Sequence, residues 1–361
     1  MTYRAGIIGT GGVAGMGILG VQDADEIGST KVETSHAGGY ASNDEIDLVA
    51  VADVEREKLG TFGEVWEIPE ERQYLGHEAM LDAEDLDVVS VCSPTYLHAE
   101  HAVDAARSAA APDVVWCEKP LASSVADGEA AIEACEENST ELLVNHSFRF
   151  QPRLVRLREL IREEELLGEI HAAHGAFRME LMRNSTHLLD TLAYLLDARA
   201  RRVSGYITGE HEATDALGAS EDVDDSGGGG TVVTDDGTFL TIDCTVPRAD
   251  STMFYHLVGN EGKLQINPED DEWRFWSLED GSHVEKPIPE LGEREGYERS
   301  FVNAATHVVD LLKNEAENRS PGHEALRSLE IIAGFYISHY TGSHVTLPLD
   351  RPLRDVTIRS W

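Results

Sequence analysis

The sequence predicts an α/β protein in two parts: a parallel sheet covered by helices, then an α+β domain with a mostly antiparallel sheet. Three observations carry this. The first 150 residues alternate short apolar strands with alanine-rich helical segments. A glycine pattern, Gly9-Thr10-Gly11-Gly12-Val13-Ala14, follows the first strand directly. After residue 150 the strands lengthen and alternate apolar with polar residues. At 361 residues and 41% hydrophobic, the chain can fill two cores.

Strands are predicted at residues 3–9, 47–52, 87–92, 114–118 and 141–146, with helices over 96–111 and 125–138. Continuous apolar strands joined by helices mean a sheet buried on both faces, hence a parallel one. The boundary is placed at 147/148, giving domains 1–147 and 148–361. In the second, helices are predicted over 152–165, 185–196, 297–314 and 323–340. Its strands are predicted over 230–234, 238–246, 254–259 and 263–267. The acidic, glycine-rich stretch 218–230 reads as a solvent loop. Residues 15–35 read as an insertion near the glycine turn, or as a distorted first helix.

The net charge is −38, from 67 acidic and 29 basic residues. Such a field repels nucleic acid and anionic membranes, so neither is expected as a partner. The acids are dispersed and only six lysines occur: Lys31, Lys58, Lys119, Lys263, Lys286 and Lys313. That composition suits a halophilic cytoplasm, where salt screens self-repulsion. Cys92, Cys117, Cys135 and Cys244 form no CxxC pair, which points to a reducing compartment. No metal is expected, and no stretch has membrane-spanning length. The N-terminus lacks a signal-like segment, so a cytoplasmic protein is expected.

In Gly9–Ala14 the first glycine allows the tight turn, and Gly11 lets the backbone approach a pyrophosphate. Gly12 and Val13 continue the turn, and Ala14 lets helix and strand pack closely. Asp53 ends the second strand, where an acid can accept hydrogen bonds from an adenosine ribose. It lies 44 positions after Gly9, because of the inserted residues. Its charge opposes a 2′-phosphate and favours NAD, while Arg56 leaves NADP open. Ser93, Pro94 and Thr95 follow the third strand, with His98 in the next helix's first turn; they read as a wall around the nicotinamide ribose, or as a plain helix start. Glu118-Lys119-Pro120 follows Val114–Cys117 and delivers a lysine to the sheet edge where α/β enzymes bind ligands. Glu118 and Lys119 are placed among the cofactor contacts.

These residues resemble the glucose–fructose oxidoreductase/inositol dehydrogenase/MocA (Gfo/Idh/MocA) family over nearly the whole chain. The resemblance rests on Gly9–Ala14, Val49–Asp53, Ser93–His98, Glu118–Pro120, Asn145–Phe150, Gly168–Ile170, Thr186–Asp190, Gly259–Gly262 and Val345–Leu349. It implies an N-terminal Rossmann domain and a C-terminal α/β domain whose open sheet makes a homodimer or homotetramer. It also implies NAD(P)-dependent oxidoreduction of sugars, polyols or related compounds. By resemblance the catalytic lysine is Lys119 and the catalytic histidine is His187. The aspartate common four residues before that histidine is replaced by Arg183, followed by Asn184.

His187 is expected at the start of helix 185–196, as the base that takes the hydroxyl proton. Lys119 is expected to stabilise the developing alkoxide. Asp190, one turn on, either orients the site or faces solvent. Arg149 and Arg183 either reach an anionic substrate group or pair with nearby acids. Should His187 point into a packed core, Asp190 or His98 would take the proton. Two rival functions share this fold: a non-catalytic sensor of nucleotide and sugar, and an enzyme that cleaves or epimerises a sugar through transient oxidation.

Overall fold

A computed structural model describes residues 2–17, 34–109, 111–209, 222–250, 252–297 and 299–360. The chain divides into two compact units. The first comprises Met1–Ala122, Asp127–Gln151 and Glu295–His323; the second comprises Ser123–Ala126, Pro152–Arg294 and Glu324–Trp361.

In the first unit the strands are β1 (Tyr3–Ile8), β2 (Ile46–Asp53), β3 (Gln73–Leu75), β4 (Val88–Val91), β5 (Val114–Cys117) and β6 (Glu141–Val144). All run parallel, in the order β3-β2-β1-β4-β5-β6. The direction of winding reverses between β1 and β4, which is where open α/β sheets bind ligands. Each of Val114, Val115, Trp116 and Cys117 is at most 1% exposed, as an apolar run covered on both faces requires.

The helix Arg299–Leu312 belongs to this unit, although the 147/148 boundary assigned it to the second domain. Phe301, Ala304, Ala305, Val308 and Val309 bury in one core with Trp116 and Tyr40. The helical pattern announced an apolar stripe; which sheet it covers is a long-range choice. Of residues 15–35, positions 18–33 lie outside the described residues. On their flanks, Gly12–Met16 forms a π-helical turn, and a regular helix begins at His36. The Ser35 hydroxyl caps that helix by accepting from Gly38 N at 2.9 Å.

The second unit carries β7 (Ile170–Arg178), β8 (Ala200–Ile207), β9 (Asp222–Asp224), β10 (Gly228–Thr234), β11 (Phe239–Val246), β12 (Phe254–Gly259), β13 (Gly262–Asn267), β14 (Glu272–Glu279), β15 (Ser282–Lys286), β16 (Val345–Thr346) and β17 (Thr357–Arg359). Nine of them form one sheet, ordered β15-β14-β13-β12-β7-β11-β10-β8-β16, while β17 pairs with β9. Among the described residues, only the β7–β11 pair is parallel within the large sheet. The expected solvent loop is therefore corrected: within its described part, 222–224 is strand β9 and 228–230 opens β10. Residues 218–221 lie outside the described residues.

Helix Thr186–Leu196 covers β7. A Cβ at Gly175 would lie 3.0 Å from both Leu188 Cδ1 and Leu192 Cδ1, so the glycine lets helix and strand approach. The other sheet face is open: Tyr206 and Phe239 are exposed, and the His174 and His256 rings stack at 5.7 Å. Among the described residues no helix is long and apolar enough to cross a membrane.

Candidate active site

The first unit's candidate site is built at the carboxyl ends of its strands. Gly9 ends β1 with φ +89°, and a Cβ there would sit 2.8 Å from Cys92 O and Ser93 N. No side chain fits, so β1 and β4 can meet closely. A Cβ on Gly11 meets nothing within 4 Å, leaving space over the turn. Behind it, Ala14 is fully buried and Trp66 Nε1 donates to Gly15 O at 3.1 Å. An open glycine turn whose first N–H groups begin a helical turn suits a pyrophosphate. The residues present fit a dinucleotide, with the open side of the turn at Gly11.

Asp53 ends β2 as expected, but it is not idle. Oδ2 accepts from Thr10 N and Thr10 Oγ1, both at 2.8 Å, and Oδ1 accepts from Glu55 N at 2.9 Å. Burial works to raise its pKa. The Thr10 and Glu55 donors and nearby Lys58 outweigh that and hold it below the usual carboxylate range. Asp53 is thus fixed and charged at neutral pH. Thr10, expected at the cofactor, spends both its N–H and its hydroxyl on Asp53.

Ser93 and Pro94 lie at the end of β4, and Thr95 is buried. His98 is 2% exposed. Its Nδ1 lies 2.7 Å from Pro120 O and its Nε2 2.8 Å from Ser93 O. Burial lowers its pKa, more than the facing carbonyls and Glu118 raise it. His98 therefore ties the Ser93 loop to the Lys119–Pro120 turn. The ring is buried with both nitrogens facing backbone carbonyls, which suits a structural tie more than its standby role as proton acceptor. His101 adds a contact, Nδ1 to Ser93 Oγ at 2.9 Å.

Lys119 stands half-buried just past β5. Glu118, expected among the cofactor contacts, turns inward instead: it is 7% exposed and both its oxygens are bound within the protein. Arg149 is 3% exposed on the turn Ser147–Phe150, and its Nη1 donates to Arg319 O at 3.0 Å. That nitrogen anchors backbone.

In the second unit a π-helical turn, Leu181–Ser185, leads directly into helix Thr186–Leu196. Asp225 caps this run, accepting from Met182 N and Arg183 N, both at 2.9 Å. Burial pushes Asp225 up to about 6, against those two donors. The α-helix begins at Thr186 with Ser185 as its N-cap, so His187 lies in its first turn as expected, and the Asp225-capped π-helical turn runs in ahead of it. Asn184 Nδ2 donates to Met179 O and Glu180 Oε2, both at 2.9 Å, so it braces the turn. Arg183 and His187 are half-buried. Asp190 is 1% exposed, which removes the solvent-facing reading; together with burial, its charge raises the Tyr255 phenol.

Sequence reasoning missed Asp225, inside the presumed acidic loop, and it missed His36, Tyr40 and Ser90 behind Glu118. Ser90 carried one signal: it is a polar residue within an otherwise apolar strand.

Two family models match. "Oxidoreductase family, NAD-binding Rossmann fold" covers residues 3–146, and "Oxidoreductase family, C-terminal alpha/beta domain" covers residues 160–347. D-apiose dehydrogenase of Paraburkholderia graminis is 26% identical over 349 residues, 89% of this chain and 88% of that one. D-xylose 1-dehydrogenase (NADP(+)) 2 of Haloferax volcanii is 28% identical over 280 residues, 73% and 75% of the two chains. The WlbA dehydrogenase of Bordetella pertussis, solved with NADH and UDP-GlcNAcA, shares the fold at TM-score 0.75 and 19% identity, over 97% of this chain and 99% of that one. By both domain matches, this chain belongs to the Gfo/Idh/MocA family of oxidoreductases, with an N-terminal NAD-binding Rossmann domain and a C-terminal α/β domain.

Proposed function

We propose that this protein is an NAD(P)-dependent dehydrogenase that oxidises a hydroxyl of a sugar, polyol or related carbohydrate. The observation that carries this reading is the lysine past the end of β5, on the same carboxyl edge of the parallel sheet as the glycine turn after β1 and the Asp53 carboxylate that ends β2. Relatives named for apiose and xylose support the carbohydrate class. When bound, the nicotinamide supplies the hydride acceptor. Asp53 would hold the adenosine ribose. Lys119 would donate to the reacting oxygen, and His187 would take its proton. Asp190 would orient the site, while Arg183 would meet the substrate. A screen of sugars, polyols and uronic acids in molar salt, read by NADH absorbance, tests this. Absence of net NADH with every class, despite cofactor binding, would favour the sensor or transient-oxidation readings.

NAD is expected to be preferred over NADP. A fixed carboxylate and a 2′-phosphate 4 Å apart repel by on the order of 4 kcal/mol per charge pair at an effective dielectric near 20. The comparison of kcat/KM for the two cofactors decides it, and a clear NADP preference would show that exposed Arg56 overrides Asp53.

The −38 charge supports a halophilic origin, and a relative from Haloferax volcanii is in keeping with it. Thermal melts should therefore rise steeply with molar salt, since screening removes self-repulsion. A flat series contradicts that origin. The open face of the nine-stranded sheet, with exposed Tyr206 and Phe239, is the proposed homo-oligomer contact. Light scattering should give a dimer or tetramer that Tyr206→Glu weakens; a monomeric wild type would end this assignment.

A further inference from the structure

The carboxylate next to Lys119 faces away from the site. Glu118 Oε1 accepts from Asn145 Nδ2 at 2.5 Å and meets His36 Nε2 at 3.1 Å; Oε2 accepts from Lys119 N at 3.2 Å. His36 is fully buried and its ring lies 3.9 Å from that of Trp116. Its Nδ1 sits 2.9 Å from Ser90 Oγ, which sits 2.6 Å from Tyr40 OH. A carboxylate only accepts, so His36 Nε2 carries a proton whatever the state of Nδ1. Tyr40 is buried and its phenol is pushed well above its ordinary range, so it keeps its proton. The chain Tyr40–Ser90–His36 thus ends with a donor aimed at Glu118.

A buried carboxylate with three donors is costly to rotate or neutralise. Burial favours the neutral acid, but His36, Lys119 and Asn145 outweigh it and hold the Glu118 pKa down. Other titratable groups face it: Cys92 at the end of β4, Cys117 on β5 and His98 on helix His98–Arg107. Burial and the Glu118 charge push both thiols well up, and burial lowers His98. At working pH the ionised pair on this strand end is Glu118 and Lys119.

We propose that Glu118 is a positioning residue for Lys119: His36 and Asn145 lock its carboxylate against the Lys119 backbone N–H, and that fixed charge keeps Lys119 an ammonium when a ligand covers it. Closing a ligand over an amine removes water, which favours the neutral form. A neutral Lys119 would lose charge-assisted donation to the reacting oxygen. A buried anion one residue away opposes this without touching the substrate.

This inference rests on Lys119 meeting the reacting oxygen, but its test needs no turnover. The lysines are reductively methylated with ¹³C and titrated by NMR, with and without NAD; the Lys119 signal is the one absent in Lys119→Arg. In Glu118→Gln the Lys119 pKa should fall by about one unit or more, the usual effect of losing a near opposite charge. Glu118→Asp should restore most of it. A folded Glu118→Gln with unchanged Lys119 titration overturns the proposal and leaves Glu118 a purely structural residue. Should that variant not fold, His36→Phe/Glu118→Gln removes both partners together, which buried pairs tolerate better than loss of one, and reads the same titration. A shifted Lys119 in a protein that makes no NADH from any carbohydrate would uphold the coupling and sink the dehydrogenase reading instead.

Discussion

Lys119→Ala should fold, bind NAD and lose about 10²–10³ in kcat, the usual cost of removing one donor to a developing oxyanion. The fold should survive because the strand does not depend on this side chain. Val114–Cys117 are the buried residues of β5, and Lys119 stands half-buried beyond them. Its backbone N–H, which donates to Glu118 Oε2 at 3.2 Å, remains in alanine. Glu118 would keep His36 and Asn145 as donors. The KM for NAD should change little, since the glycine turn and Asp53 carry most of the expected cofactor contacts. Lys119→Arg should recover part of the rate, because it restores a cation but not the compact ammonium. Initial rates of NADH formation check this; near wild-type kcat in the alanine variant would remove Lys119 from the mechanism.

His187→Ala is expected to lower kcat/KM for alcohol oxidation by about 10²–10⁴-fold, the range of general acid–base catalysis. The wild-type pH profile should show an acidic limb that the variant lacks. Below that limb the imidazole is protonated and cannot accept the hydroxyl proton. Asp225, not the histidine's own turn, caps the helical run that carries His187. An alanine variant that keeps both rate and limb would hand the proton to another group, with buried Asp190 the next to test. His98 is a poor substitute, because Pro120 O and Ser93 O hold its ring.

The parallel sheet was legible because its strands are buried on both faces. Val88–Val91 and Val114–Cys117 read as apolar runs with little competing pattern. β7 was not legible, though it lies at the middle of the second sheet. Its sequence, Ile-His-Ala-Ala-His-Gly-Ala-Phe-Arg, is rich in residues with weak strand preference. Gly175 is there for helix packing, which a single strand's pattern does not disclose. β15 was missed for the opposite reason: all five of its residues are exposed, so no apolar alternation marks it.

By itself, the sequence determined the turn after β1, the acid at the end of β2 and the lysine past β5. Each is a local pattern whose spacing places a residue at a strand end, where chain geometry alone puts it on the sheet edge. Only the tertiary structure decided which groups those residues touch. Thr10 reaches Asp53 across 43 positions, and Met182 reaches Asp225 across 43. His36 reaches Glu118 across 82. The helix Arg299–Leu312 joined the first unit rather than its sequence neighbours. Hydrogen-bond partners and helix docking are chosen by burial among elements far apart in the chain, where each buried polar group must find a partner. Periodicity and motif spacing carry no record of that choice.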